Sequence, residues 1–352
     1  MSGGVDSSVA AALMLEKGAE VIGVTLKFLS CSDSGKGESP CCGTDDGRDA
    51  AKVCEKLGIP HYLLDAVEIF KDKVLEKSWN EYSIGRTPNP CVVCNRFVKF
   101  GFLLDYAVKM GASGVASGHH AIIEHKDDGS VLLRRGNDPN KDQSYFLSQV
   151  SKEQLEKIYM PVGLMTKKQV REEARRLGLS NSEKAESQDA CVAFSGANFA
   201  ETLRTMFNSL SRPGNFIGED GEILGTHSGI HNFTIGQRRG FGKGFGRPVF
   251  VKEINAQTGD VVLVFDEEKL FRNSLRASGI NWLMKEYSAR ENFRAKVQIR
   301  YRQKAVDAEI IPSRSNPTEA EVIFEIPQRA VTLGQAVVFY ENDTVIGGGW
   351  IG

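Results

Sequence analysis

Several features are missing from this sequence, and each absence narrows what the chain can do. No apolar run is long enough to span a bilayer, and the first residues do not form a secretory leader; a cytoplasmic protein without a membrane partner is expected. Neither sign of charge dominates, since 44 Lys and Arg stand against 45 Asp and Glu for a formal net charge of −1. A nucleic-acid partner therefore has to be met by local basic patches and not by the overall field. No Gly-Lys-Ser/Thr follows a glycine-rich turn at Walker A spacing. No internal repeat or low-complexity tract is present. The seven cysteines (Cys31, Cys41, Cys42, Cys54, Cys91, Cys94 and Cys191) are odd in number. That count argues against a disulfide scaffold and for reduced thiols used in metal binding or catalysis. What remains is a 352-residue globular composition, 41% hydrophobic and 25% charged, sufficient for two or three domains.

The most informative stretch comes first. Met1-Ser2-Gly3-Gly4-Val5-Asp6-Ser7-Ser8 runs into the apolar residues Val9, Ala10, Ala12, Leu13 and Leu15, and reads as a loop feeding a helix. The glycines permit positive φ and close approach of a ligand, Ser7 and Ser8 are candidate caps, and the open N–H groups of a helix start attract phosphate. A bare Gly-Gly reads most simply as an ordinary turn; Ser-Gly-Gly-Val-Asp-Ser-Ser is more specific. It resembles the PP-loop of the adenine-nucleotide alpha hydrolases, which cleave ATP between its α- and β-phosphates and adenylylate a substrate. Such a loop needs a strand before it, and the sequence starts inside the loop. A late start codon or a strand missing ahead of Met1 is expected.

Alternation of strand-like and helix-like segments continues to about residue 118. Helices are expected at 9–17, 49–57, 67–82 and 96–110, with strands at 20–28, 60–65 and 114–118 and a loop at 85–95. This predicts an α/β, doubly wound parallel sheet with ligands at the carboxyl ends of its strands. A hairpin turning at Asp127-Asp128-Gly129 and helices at 151–158 and 167–177 follow. From about residue 213 glycines and short β-like runs take over. The expected division is 1–205 for the nucleotide-binding part, 206–270 for a small central α+β domain and 271–352 for a C-terminal β-barrel.

Three further stretches narrow the resemblance: Gly85-Arg-Thr-Pro-Asn-Pro-Cys-Val-Val-Cys-Asn95 with Lys99-Phe100, Asn140-Lys-Asp-Gln-Ser-Tyr-Phe-Leu147, and Ser187-Gln-Asp-Ala-Cys-Val-Ala-Phe194. Thr234-Ile-Gly-Gln-Arg-Arg-Gly240, Arg300-Tyr-Arg-Gln303 and Gly347-Gly-Gly extend it down the chain. Together with the opening loop these closely resemble the tRNA-specific 2-thiouridylases (the MnmA family), which replace O2 of the wobble uridine of tRNA with sulfur. The resemblance implies a PP-loop domain, a small central domain and a β-barrel. It also implies ATP and Mg²⁺, release of AMP and pyrophosphate, tRNA as partner, and a cysteine desulfurase or sulfur-relay protein as donor.

The same resemblance implies roles for residues. Cys191 would accept a persulfide, and Cys94 would attack it, leaving a transient Cys94–Cys191 disulfide. ATP binding carries over to Ser2, Gly3, Gly4, Val5, Asp6, Ser7, Ser8, Leu26 and Gly118; Leu26 is equally a strand residue of the core. Contacts with tRNA carry over to Asn89, Pro90, Cys91, His119, Lys141, Asp142, Gln143, Arg300, Tyr301 and Gln335. The departure lies at Cys91, where the family pattern is Asp-x-x-Cys and this chain has Cys-x-x-Cys. Three readings stay open. Cys91, Cys94 and Cys191 are candidate ligands of a [4Fe–4S] cluster, as in cluster-dependent thiolases of the superfamily; Cys91-x-x-Cys94 is a redox pair; or Cys91 is a tolerated neighbour of the target base. A structural zinc wants a fourth ligand, and no second Cys-x-x-Cys is present. His120 stands where the family has Tyr and is left unassigned.

For RNA, Arg294-Ala-Lys-Val-Gln-Ile-Arg-Tyr-Arg302 alternates Arg, Lys, Gln, Arg, Arg with apolar residues. As a strand over 294–301 it would carry a basic stripe for phosphates on one face, or simply a solvated face. A second cluster comprises Arg238, Arg239, Lys243 and Arg247. Two rival functions remain: another PP-loop ATP pyrophosphatase acting on a small molecule, and a non-catalytic tRNA-binding sulfur carrier.

Overall fold

The computed structural model describes residues 1–29, 45–184 and 198–352. Cys31, Cys41, Cys42 and Cys191, and with them the Cys94–Cys191 pairing, lie outside the described residues. The chain divides into two compact units. The first comprises Met1–Lys73, Cys91–Ala193 and Asn342–Val345; the second comprises Val74–Pro90, Phe194–Glu341 and Ile346–Gly352.

The first unit is α/β. Helix α1 (Val5–Glu16) is followed by strand β1 (Gly23–Lys27), helix α2 (Asp45–Leu57) and strand β2 (His61–Asp65). β1 and β2 pair in parallel, with Leu26 opposite Leu64. A second parallel pair joins β3 (Val115–Ala116) to β6 (Ile158–Tyr159). Between them in sequence, β4 (Ala121–His125) and β5 (Val131–Arg135) form the expected antiparallel hairpin, and Thr344 pairs with Arg134 of β5. α1 is built of small apolar residues, so most of its circumference can be covered closely. Val5, Val9 and Ala10 pack with Val53, Val162, Val170, Ala174 and Leu179. Each Val buried in this way contributes about 1.5–3 kcal/mol.

Two expected boundaries are corrected. The helix after the opening loop begins at Val5, so half of the glycine–serine motif is helical and not loop. Residues 85–95 are not all loop either: helix starts at Pro90 and runs as Pro90–Cys94, a π-helical Asn95–Phe102, and Leu103–Lys109. Proline suits a first helical position, where its missing N–H has no intrahelical acceptor to lose. Cys91 and Cys94 are thus three apart on a helix and share a face.

In the second unit, β7 (Gly214–Ile217), β8 (Ile223–His227), β9 (Phe250–Ile254) and β10 (Val261–Val264) form a sheet of order β8-β7-β10-β9. Its core gathers Phe216, Phe233, Phe241, Val251, Val261 and Leu263. The last strands are β11 (Phe271–Trp282), β12 (Phe293–Gln298), β13 (Val306–Pro312), β14 (Ala320–Arg329), β15 (Ala336–Glu341) and β16 (Thr344–Ile351). They run in the order β11-β14-β13-β12-β15-β16, and β16 also pairs with β11, closing a six-stranded barrel. Ile310, Val322 and Phe339 fill its interior and are fully buried. Among the described residues no helix is long and apolar enough to cross a membrane.

Candidate active site

The opening loop is fixed from several sides within the first unit. The Met1 ammonium donates to the Val24 carbonyl, and Thr25 Oγ1 of β1 donates to the Met1 carbonyl at 2.9 Å. These bonds seat Ser2 against β1. Gly3 has φ +68°, a value that favours glycine. Gly4 is the N-cap of α1 and supplies no side-chain cap. The expected capping by serine is therefore corrected: the Ser7 and Ser8 hydroxyls both donate to the Gly4 carbonyl, each at 3.0 Å. Loop carbonyls are satisfied, while the first-turn N–H groups have no intrahelical acceptor, which is the arrangement that binds an anion.

Gly118 closes the loop from β3. A Cβ there would lie 2.5 Å from the Asp6 carbonyl carbon and 2.5 Å from the Ser7 nitrogen, so only glycine fits. The next residues continue the cluster. His119 Nδ1 is 2.6 Å from Ser117 Oγ, and its ring lies 5.7 Å from that of Phe100. His119 is half-buried; its partial desolvation and the nearby Lys99 and His120 charges push its pKa down to about 3. It is a neutral imidazole throughout the physiological range. His120 Nε2 is 3.2 Å from Asp6 Oδ1.

Asp6 is the electrostatic centre. Lys167 Nζ donates to both of its carboxylate oxygens at 2.7 Å. Burial pushes the Asp6 carboxyl up, but the hydrogen bonds from His120 and Lys167, with their charges, more than reverse this and hold it below the usual range. Lys167 sits at the first position of the helix Lys167–Arg176, capped by Thr166, and its own N–H donates to Asp138 at 3.0 Å. Lys167 thus places its ammonium against the first turn of α1, where it can neutralise phosphate charge. Nothing local distinguishes Lys167 from the other basic residues of its helix, because only the fold brings it to Asp6.

The Lys141-Asp142-Gln143 segment joins the same cluster. Gln143 Oε1 accepts from the His120 N–H at 2.9 Å, and the Gln143 N–H donates to the His120 carbonyl at 2.8 Å. Asp142 is used inside the protein, accepting from Arg135 Nη1 (2.7 Å), the Gly136 N–H (3.0 Å), and the Ser144 N–H and hydroxyl (both 3.0 Å). The cysteine-bearing helix is tied to this region: Asn95 Nδ2 donates to the Phe146 carbonyl at 3.1 Å, and Arg96 Nη1 to Gln149 Oε1 at 2.7 Å. Cys94 is buried and Cys91 half-buried. With Cys191 outside the described residues, two of the three candidate cluster ligands are placed. Among the described residues no group of three or more His, Cys, Asp or Glu side chains is arranged to hold a metal ion. Leu26, on β1, is half-buried.

The other expected RNA-facing residues belong to the second unit. Gln335 Nε2 donates to the Thr87 and Pro88 carbonyls at 3.0 and 2.9 Å, shaping the chain just before Asn89 and Pro90. Arg300 Nη2 donates to the Ala330 carbonyl at 2.5 Å and to Thr332 Oγ1 at 2.8 Å. The strand expected over 294–301 is shorter. β12 ends at Gln298, whose buried amide donates to the Arg300 and Tyr301 carbonyls at 3.1 and 2.7 Å and so holds a turn. Arg294 pairs with Glu325 at 2.9 Å, and Lys296 with Asp307 at 2.9 Å. The expected alternation holds over 293–297, where Arg294 and Lys296 are exposed, and acids on β13 and β14 lie beside both.

Three stretches of the chain match known families. Residues 1–194 match the family described as "tRNA methyl transferase HUP domain", residues 202–264 "tRNA methyl transferase PRC-barrel domain", and residues 272–351 "Aminomethyltransferase beta-barrel domain". The chain is 43% identical over 354 residues to the tRNA-specific 2-thiouridylase MnmA of Acetivibrio thermocellus, covering 100% of this chain and 97% of that protein. It is 42% identical to that of Carboxydothermus hydrogenoformans (100% and 96% covered). Against that of Halothermothrix orenii it is 41% identical (100% and 97% covered). With the glycine–serine loop, the cysteine-bearing helix and the closed barrel in place, the chain belongs to the tRNA-specific 2-thiouridylase family.

Proposed function

We propose that this protein is an ATP-dependent tRNA sulfurtransferase that converts the wobble uridine of tRNA to 2-thiouridine. Identity above 40% to such enzymes over essentially their whole length carries the reading. The opening loop supports the ATP half: its satisfied carbonyls, open helix start and the glycine at 118 form a cradle that a side chain would fill. Segments 1–205, 206–270 and 271–352 act as nucleotide-binding, central and barrel parts.

Oxygen on a pyrimidine carbon leaves poorly. In the first half-reaction O2 of the uridine attacks the α-phosphorus of ATP, and pyrophosphate departs. Ser2–Ser8 and Gly118 hold the phosphates, Leu26 lies beside the adenine, and Lys167 offsets phosphate charge next to Asp6. Mg²⁺ bound to the nucleotide spreads the charge that develops on the phosphates. In the second half-reaction sulfur displaces AMP from C2. Cys191 carries that sulfur as a persulfide delivered by a cysteine desulfurase or relay protein, and Cys94 takes part in its release, closing a disulfide with Cys191. A [4Fe–4S] cluster on Cys91, Cys94 and Cys191 is the competing arrangement. An unstacked anticodon base is the kind of target that a protein can splay out and read. Asn89, Pro90, Cys91 and His119 face it, with Lys141, Asp142, Gln143, Arg300, Tyr301 and Gln335 shaping or touching the tRNA in the cytoplasm.

The test is an in vitro reaction with MgATP, sulfide and unmodified tRNA, read by nucleoside mass spectrometry for 2-thiouridine. Formation of 2-thiouridine with AMP and pyrophosphate in equal amounts is expected. Pyrophosphate release on a small molecule without tRNA would overturn the assignment. Anaerobic purification with iron and sulfide analysis separates the two cysteine chemistries: iron-free protein with full activity removes the cluster.

A further inference from the structure

Asn181 lies outside every motif, yet it is in direct contact with the opening loop. It is 4% exposed, and its Nδ2 donates to the Gly3 carbonyl at 3.1 Å and to Ser8 Oγ at 2.9 Å. The Gly3 oxygen can only accept, so the amide orientation is fixed. Ser8 Oγ, accepting from Asn181, donates its own O–H to the Gly4 carbonyl at 3.0 Å. Two consecutive loop carbonyls are thereby turned into the protein by one side chain and the hydroxyl it supports.

The turn presenting Asn181 is held by several hydrogen bonds. Leu179 N–H donates to the Ala174 carbonyl at 2.9 Å, and Lys184 N–H to the Asn181 carbonyl at 3.1 Å. Arg171 donates to the Ser182 and Lys184 carbonyls at 2.7 and 3.1 Å, and Lys184 Nζ reaches Asp49 at 2.8 Å. The arrangement leaves Asn181 Oδ1 buried without a partner. An apolar side chain would fill the same space without stranding an acceptor. What the amide alone supplies is the pair of donors.

We propose that Asn181 is a positioning residue of the nucleotide site, holding the Gly3 and Gly4 carbonyls inward so that the loop keeps its N–H groups for phosphate. The inference rests on the reading that this loop binds ATP. Neutral-to-acid substitution exposes it. In Asn181→Asp a carboxylate faces the Gly3 oxygen and adds negative charge beneath the phosphates. Protonation, favoured by burial, restores one donor.

Calorimetry of MgATP binding to the parent, Asn181→Asp and Asn181→Ala proteins tests this, with thermal melting as a check on folding. The Asp variant is expected to bind about a hundredfold more weakly at pH 7.5 and to recover about tenfold at pH 5.5. The Ala variant loses about tenfold at both pH values. The loss appears in KM for ATP, with kcat at saturating ATP and tRNA affinity within about threefold of the parent. Should the Asp variant melt below the assay temperature, the Ala variant carries the test through the same KM-against-kcat split. Parent protein that binds MgATP alongside variants that bind it equally well overturns this inference alone. An Asp variant that stays as weak at pH 5.5 as at pH 7.5 also overturns it. Parent protein that binds no MgATP overturns the nucleotide reading and this inference with it.

Discussion

The opening loop and the 294–302 segment both stand out in the sequence as anion-binding stretches, and they fare differently in three dimensions. In the loop the signal is the backbone: glycine at positive φ, a helix start without a side-chain cap, and neighbours that occupy its carbonyls. Folding adds partners and leaves the anion-binding groups open. In 294–302 the signal is side-chain charge, and folding supplies Glu325 and Asp307 across the strand. Backbone polarity within a motif is hard to cancel from elsewhere in the chain. Surface charge is cancelled by whatever strand lies alongside.

The comparison can be broken most severely at the loop. Gly118→Val forces a side chain into the Asp6–Ser7 backbone, and MgATP binding and thiolation are both expected to fall below detection in calorimetry and nucleoside mass spectrometry. Cys94→Ser or Cys191→Ser should also abolish thiolation while MgATP and tRNA binding persist; retained thiolation would remove the sulfur-transfer assignment. Next comes Lys167→Met, expected to weaken MgATP binding about ten- to a hundredfold. It also strands Asp6, whose folded pKa is depressed. That pairing stabilises the fold above the unfolded carboxyl pKa and is lost as pH falls through the lower folded value. The melting-temperature gap between parent and Lys167→Met should therefore close in strong acid.

A smaller effect is expected at His119. Its folded pKa of about 3 lies below the ordinary imidazole value of 6.5, so the unfolded chain binds the proton first and stability falls as pH drops from about 6.5 towards 3. His119→Phe should flatten that part of the stability–pH curve in urea unfolding. The smallest effects belong to the second region. Arg294→Gln and Lys296→Gln remove exposed ion pairs worth about 0–1 kcal/mol and should leave the salt dependence of tRNA binding unchanged. Arg238 and Arg239 are exposed and enter no ion pair among the described residues. Replacing either with Gln should lower the slope of log K against log salt by about 1. The reverse pattern would restore the barrel strand as the phosphate-binding face.

Much of the fold was legible because periodicity reports burial: the hairpin at 121–135, the helix 167–177 and the β-rich C-terminal third all appear close to their expected places. The start of the cysteine-bearing helix was missed because Thr-Pro-Asn-Pro reads as turn, whereas Pro90 begins the helix. Lys167 and Asn181 were missed because neither has a local signature. One is a lysine in a basic helix; the other is a lone asparagine in a turn. Asp142 was legible within Lys-Asp-Gln, and its partners Arg135 and Ser144 lie close to it in the chain; the bonds from Gln335 to Thr87 and Pro88 join distant parts of the chain and have no local signature.

By itself the sequence determined the chemistry available: a phosphate loop, paired cysteines three residues apart, and a chain whose texture changes from α/β to all-β. It could do so because backbone conformation, helix starts and side-chain reactivity are local properties. Tertiary structure alone decided which charges remain usable and which polar groups set the loop. Asp6 meets Lys167, Gly3 meets Asn181 and Lys296 meets Asp307 only after folding. Such pairings depend on distance in space, which the order of residues does not carry.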